Sequence, residues 1–186
     1  MIDKLKKEIK SIADFSEEDI ELFGNALEEA FIPKGEHFLH EGQISKHLGY
    51  IKSGLTMYYK ISEGIEIPVD FAMENEWIAH LESFTSGTAS NMSIKALEDT
   101  SLLTLTNDSM HKLINTQPKF LVIKNYYTEL SFIRNTHHAS DLAMLNAKQR
   151  YYKFMKENPA LINRIPQYHI AAYLGIKPQS LSRLRK

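Results

Sequence analysis

The sequence predicts an α+β fold: an N-terminal β-barrel of the double-stranded β-helix or jelly-roll kind, a long dimerisation helix and a C-terminal helix-turn-helix. Three observations point to it. From Phe31 to Thr106 the chain runs in short stretches rich in Ile, Tyr, Phe, Thr and Val. These stretches are broken by Gly35, Gly42, Gly54, Gly64 and Gly87 at the regular turn spacing of a closed or double-sheet β structure. From Pro118 onward, apolar residues recur three and four apart with no Gly or Pro before Pro159. Near the end, Ile170, Leu174, Ile176, Leu181 and Leu184 fall where two crossed short helices need a shared core, with Gly175 between the helices.

Taken in order, Met1–Lys10 carries four lysines without an apolar run behind them, so neither a signal peptide nor a membrane anchor is expected. Ser16 reads as an N-cap, Glu17 and Glu18 favour the first turn, and Ile20, Phe23 and Leu27 share a face, which predicts a helix over about residues 17–30. Strands follow to Thr106. Asn107 and Asp108 open a helix to about Asn115, and Pro118 opens the long one, with Ile123, Tyr126, Tyr127, Leu130 and Ile133 as its stripe. That stripe can lie on the chain's own barrel or against the same helix of a second copy, and a homodimer is the favoured expectation. A break is expected near Ala139–Asp141, with a further helix over about 143–157 that Asn158-Pro159 ends. Pro166 and Pro178 each suit the first position of a helix, and Gly175 supplies the positive φ of the turn between them.

The net charge of −1 conceals a split. Residues 141–186 hold nine Lys or Arg against only Asp141 and Glu157, whereas the first 140 residues hold the other 13 basic and the other 21 acidic side chains. Only the C-terminal end therefore offers a field attractive to phosphates. A basic surface helix pair with no partner is the plain alternative. With 186 residues and 43% hydrophobic content, the chain can bury a core in one or two domains. Its lack of cysteine excludes disulfides, thiolate catalysis and cysteine-ligated iron–sulfur clusters, and suits a reducing cytoplasm. No nucleophile–base pair, metal-ligand spacing or phosphate-binding glycine loop is present, so an enzyme is not expected.

In a docked helix-turn-helix the N-terminal half of the second helix faces base edges. Here it begins Pro178-Gln179-Ser180. Gln179 suits paired hydrogen bonds to an adenine, Arg183 to a guanine, and Ser180 a base or a phosphate, while Lys177 and Arg185 are placed to hold phosphates.

Ile32-Pro33-Lys34-Gly35-Glu36, Glu41-Gly42 and Leu48-Gly49-Tyr50-Ile51-Lys52-Ser53-Gly54 resemble early strands and turns of the Crp/Fnr family of transcriptional regulators. Ile165-Pro166-Gln167, Leu174-Gly175-Ile176 and Ser180-Leu181-Ser182-Arg183 resemble its two C-terminal helices. The resemblance spans nearly the whole chain. It implies a cyclic-nucleotide-binding-like barrel with its N-terminal helix over residues 1–116, a dimerisation helix over 117–140 and a DNA-binding domain over 141–186. It implies a cytoplasmic bacterial regulator that binds double-stranded DNA at an inverted repeat as a homodimer and works with RNA polymerase.

The ligand site departs from the family's pattern. Where nucleotide-binding members have Phe-Ile-Gly-Glu-Leu, this chain has Trp77-Ile78-Ala79-His80-Leu81, and Ser90-Asn91 stands where they have Arg-Ser. No arginine remains in that loop. Because a buried cyclic phosphate without a bidentate cation loses roughly 1.5–3 kcal/mol per charged hydrogen bond, the pocket of Ala79, His80, Leu81, Ser90 and Asn91 is expected not to bind cyclic AMP. It either senses another small-molecule effector or serves as a scaffold. His80 reads as a structural hydrogen-bonding residue, and the neighbours His137 and His138 point about 100° apart on a helix, so no metal or other cofactor is expected. One alternative stays open, a small-molecule-binding barrel whose helix-turn-helix no longer binds DNA. It draws on the chain's end at Lys186, nine residues into the second helix, and on a stretch from Asn158 to Ile165 too short for the hairpin many relatives place there.

Overall fold

Caps and long-range pairing together set the N-terminal boundaries. In the computed structural model, which describes residues 3–184, α1 (Asp3–Ile12) buries Leu5 and Ile9, one turn apart. Helix α2 (Glu17–Asn25) begins as its sequence predicts: Ser16 accepts from the Asp19 N–H while the Asp19 carboxylate accepts from the Ser16 N–H. It ends at Asn25, short of the expected residue 30. Residues from Glu28 onward form β1 (Glu28–Ile32), in register with Thr104 to Thr100, so strand pairing overrules the helical propensity of Glu28-Glu29-Ala30.

The strands are β2 (His37–Leu39), β3 (His47–Ser53), β4 (Leu55–Ser62), β5 (Ile65–Met73), β6 (Trp77–Ile78), β7 (Ser93–Ala96) and β8 (Thr100–Thr106), with the short α3 (Leu81–Ser86) between β6 and β7. They pair antiparallel in two four-stranded sheets, ordered β1-β8-β3-β6 and β2-β7-β4-β5, which face each other as a roll. The interior holds Ile51, Tyr58, Ala72, Ile78, Ile94 and Leu102.

Burial on both faces explains why the central strands are not simply alternating. In β4, Thr56 and Tyr58 sit on the opposite face from Leu55, Met57 and Tyr59, yet all five are buried. The outer residues Leu55, Met57 and Tyr59, with Phe71 of β5, form one core with the C-terminal helices. On the other sheet Tyr50, Leu103 and Leu105 point outward into a second core under α1, α2 and the helices after the barrel.

Those helices are α4 (Asn107–Thr116), capped by Thr106, and α5 (Phe120–Met144). The expected break near Ala139–Asp141 is absent. Nothing at 139–141 removes a backbone donor; instead the chain leaves the helix at Leu145, and Asn146 starts α6 (Ala147–Glu157) through a capping box with Gln149. The long helix therefore runs from 120 to 144 rather than over 117–140. Its stripe divides. Phe120, Ile123, Tyr127 and Arg134 face the chain's own body, whereas Val122 and Tyr126 are 43% and 38% exposed and Leu130 and Ile133, 45% and 48% exposed, border the cavity. Helices α7 (Gln167–Tyr173) and α8 (Pro178–Leu184) complete the chain. Among the described residues no helix is long and apolar enough to cross a membrane.

Candidate functional site

Helices α7 and α8 form the expected two-helix unit. Ile170, Ala171, Leu174 and Leu181 are buried together, Ala171 at 0% exposure. Gly175, at φ 62°, ends α7: its N–H donates to Ala172 O and the next N–H, of Ile176, donates to Ala171 O, the paired bonds of a left-handed helix stop. Pro178 is the first residue of α8, as its fixed φ suggests. Pro166 lies one position earlier than expected: with ψ 137° it is the extended residue before α7, not the first helical one.

The residues singled out for DNA contact share one surface. Lys177, Pro178, Gln179 and Arg183 are exposed and Ser180 is half-buried, while Leu181 points into the core. Arg185 lies outside the described residues. The positioning of this surface involves Arg150, which the sequence shows only as part of a basic segment. From α6 its guanidinium donates to the carbonyls of Leu174 (2.6 Å) and Gly175 (3.3 Å) at the turn, and to Leu145 O at the end of α5. One side chain thus ties the end of the long helix to the turn between α7 and α8.

A second arginine docks the unit on the barrel. Arg164 donates to both Glu74 oxygens (2.8 and 2.9 Å), to Glu98 (2.7 and 3.0 Å) and to Gly54 O (3.1 Å). The Glu74 carboxyl is held down at about 2 by this guanidinium against the opposing effect of burial. Beside the clamp, Tyr173 of α7 stacks on His138 of α5 (4.2 Å between ring centres) and meets Phe71 edge-on (5.3 Å). His138 and His169 are both held below the ordinary histidine range, chiefly by burial. His137 is exposed, so the two adjacent histidines diverge.

The pocket residues separate into two groups. Ala79, His80 and Leu81 line a cavity of about 980 Å³ between the barrel mouth and α5; Ser90 and Asn91 do not. His80 is structural: its Nδ1 accepts from Ser83 N–H (3.2 Å) as the N-cap of α3. The Ala79 N–H donates to the Tyr58 hydroxyl (3.1 Å), Ser90 Oγ donates to Met92 O (2.7 Å), and Asn91 is exposed. Lys95 points away from the barrel interior and pairs with Glu66 (2.5 Å).

Two arginines line the cavity: Arg150 of α6, committed to backbone carbonyls, and Arg134 of α5. Arg134 is paired with Asp70 (2.7 Å) and Glu76 (3.0 Å). The two carboxylates exceed the single cation. Burial outweighs Arg134 and raises the Asp70 carboxyl to about 6. The sequence could not show this triad, because its members lie 58 and 64 residues apart.

Comparison with known proteins agrees with this geometry. Residues 29–117 match the model of the cyclic nucleotide-binding domain family. By sequence, no curated protein matches the chain. Among solved structures, FixK2 from Bradyrhizobium japonicum is similar at 18% identity, covering 86% of this chain and 82% of its own, with a TM-score of 0.75. The c-di-GMP-responsive global regulator CLP of Xanthomonas campestris is similar at 15% identity over 91% and 89%, with a TM-score of 0.72. A protein from Eubacterium rectale described as a transcriptional regulator of the Crp/Fnr family has 18% identity over 92% and 82%, with a TM-score of 0.67. At these identities the likeness is one of fold. Residues 29–117 thus resemble a cyclic nucleotide-binding domain, and the chain, taken whole, has the fold seen in these regulator structures.

Proposed function

We propose that this protein is a sequence-specific DNA-binding transcriptional regulator, acting as a homodimer on an inverted repeat, with a barrel that has given up cyclic-AMP binding. The observation that carries the DNA half is the exposed surface at the start of α8, where Lys177 just before the helix and Gln179 and Arg183 on it follow the Gly175 turn in the strongly basic C-terminal part of the chain. In this reading residues 1–116 are the barrel domain, 117–140 the dimerisation segment and 141–186 the DNA-binding domain.

Arg183 and Lys177 have different tasks. Arg183→Ala removes a bidentate donor to a base edge, costing about 1–3 kcal/mol on the cognate site and relaxing preference at one base pair. Lys177→Ala removes a phosphate contact, weakening all sequences alike and lowering the salt slope by about one. Equilibrium binding to cognate and scrambled duplexes across a salt series separates the two. Equal losses on both duplexes for Arg183→Ala would contradict its assigned role.

The effector half follows from the cavity's charge. A cyclic phosphate in the cavity would find Arg134 already shared by two carboxylates and Arg150 already donating to three backbone carbonyls, and the Ser90-Asn91 loop inside the barrel offers no guanidinium. Titration calorimetry with cyclic AMP or cyclic GMP is expected to show no binding at micromolar concentration. A micromolar affinity for either would overturn this part of the proposal.

A further inference from the structure

The cavity is acidic. Among the described residues its lining holds six carboxylates against four lysine and arginine side chains. Two of the six, Asp70 and Glu76, share Arg134 at the barrel mouth, with side chains only 18% and 35% exposed. Each also accepts from one backbone N–H, that of Phe71 for Asp70 and that of Met73 for Glu76 (both 2.8 Å). A carboxylate has about four acceptor positions, so each is about half used. The Asp70 carboxyl, raised to about 6, is still mostly ionised at neutral pH, and a negative charge so enclosed stays costly until a further cation meets it. Tyr58, the cross-strand neighbour of Asp70, is 8% exposed and lines the same cavity. Its hydroxyl oxygen accepts from the Ala79 N–H (3.1 Å), while its own hydrogen has no acceptor among the described residues. A buried hydroxyl seldom leaves its donor unused, because the hydration it gave up is then not replaced.

We propose that this end of the cavity binds a small organic cation: a primary ammonium group that donates to Asp70 and Glu76, in a molecule whose neutral oxygen accepts from the Tyr58 hydroxyl. The three N–H donors of an ammonium match the unused acceptor positions of the two carboxylates. An anion meets the same carboxylates as repulsion, and a wholly apolar molecule leaves both the charge and the hydroxyl unmet. A cavity of about 980 Å³ admits a molecule of this size. Arg134 belongs to α5 and the carboxylates to the barrel, so a bound ammonium adds a third member to the contact between the two. The proposal rests on the reading of the cavity as an effector site and is independent of DNA binding.

Titration calorimetry of the full-length protein at neutral pH uses N-acetylputrescine, which carries an ammonium and an amide oxygen. N-Butylacetamide keeps the chain and the amide without the charge, and butylamine keeps the charge without the oxygen. N-Acetylputrescine is expected to bind saturably at millimolar concentration or below, about tenfold tighter than either control. Asp70→Asn, which keeps the shape and removes the charge, should weaken it about tenfold. Tyr58→Phe, which keeps the ring, should weaken N-acetylputrescine and leave butylamine unchanged. No saturable binding of N-acetylputrescine, equal binding of N-butylacetamide, unchanged affinity in Asp70→Asn, or equal losses of both amines in Tyr58→Phe would each overturn the proposal. Such a failure alongside intact binding of operator DNA would remove the ligand class and leave the regulator reading standing.

Discussion

Arg164→Ala is expected to release the C-terminal unit from the barrel and to cost the protein about 2–4 kcal/mol. Removing one partner of a buried ion pair costs roughly 3–5 kcal/mol because the other charge is stranded, and part of that is recovered here since Glu74 and Glu98 keep some contact with water. Two carboxylates would be left facing each other across Gly54, whose carbonyl also loses its donor. Chemical denaturation monitored at Trp77 and by helical circular dichroism reads the effect as a lower midpoint, with the helical signal failing before the barrel. A midpoint unchanged from wild type would mean that the apolar core around Phe71 and Tyr173 carries the docking alone.

The same interface should weaken in mild acid before the clamp itself fails. His138 and His169 are held neutral, so their contribution is fully present above an unfolded value near 6.5 and is lost as pH falls through their lower folded values. Glu74 behaves in the opposite range: its contribution is present above about 4.5 and disappears only toward about 2.

The second large effect concerns α5. Leu130→Asp combined with Ile133→Asp should convert the native protein to a monomer. Each side chain is 45–48% exposed in the single chain, so burying the remainder is worth about 1 kcal/mol, and in the proposed symmetric dimer four such side chains would meet. The resulting loss of about 4 kcal/mol is close to a thousandfold in dimer affinity before charge repulsion is added. Sedimentation equilibrium at micromolar concentration measures it, and retained barrel circular dichroism shows that folding is intact. A variant that sediments as wild type would place the interface elsewhere.

The parts of this fold that are written locally were legible in the sequence. Ser16, Gly175 and Pro178 act on their own neighbours, and the spacing of Ile170, Leu174 and Leu181 fixes a two-helix core without help from the rest of the chain. Elements decided by distant partners were not. Residues 28–30 became strand because β8 lies beside them, and α1 carries only Leu5 and Ile9 as fully buried anchors in a lysine-rich stretch. The long stripe of α5 was visible but not its division, since Ile123 and Tyr127 join the core while Tyr126 is exposed and Leu130 only borders the cavity. The candidate site shows the same limit. The exposure of the residues proposed to face DNA follows from helical geometry, whereas the Arg164 clamp joins residues 66, 90 and 110 positions away and no periodicity marks it. His80 stood at a ligand position by register, yet its ring is occupied in capping α3.

Selection from a random duplex library with the full-length protein at low salt is the most direct test of the DNA-binding reading. An inverted repeat is expected, with half-sites about one helical turn apart, because in the proposed dimer two copies of α8 related by an axis along α5 would enter successive major grooves. Recovery of no enriched motif, or of one lacking two-fold symmetry, would contradict it.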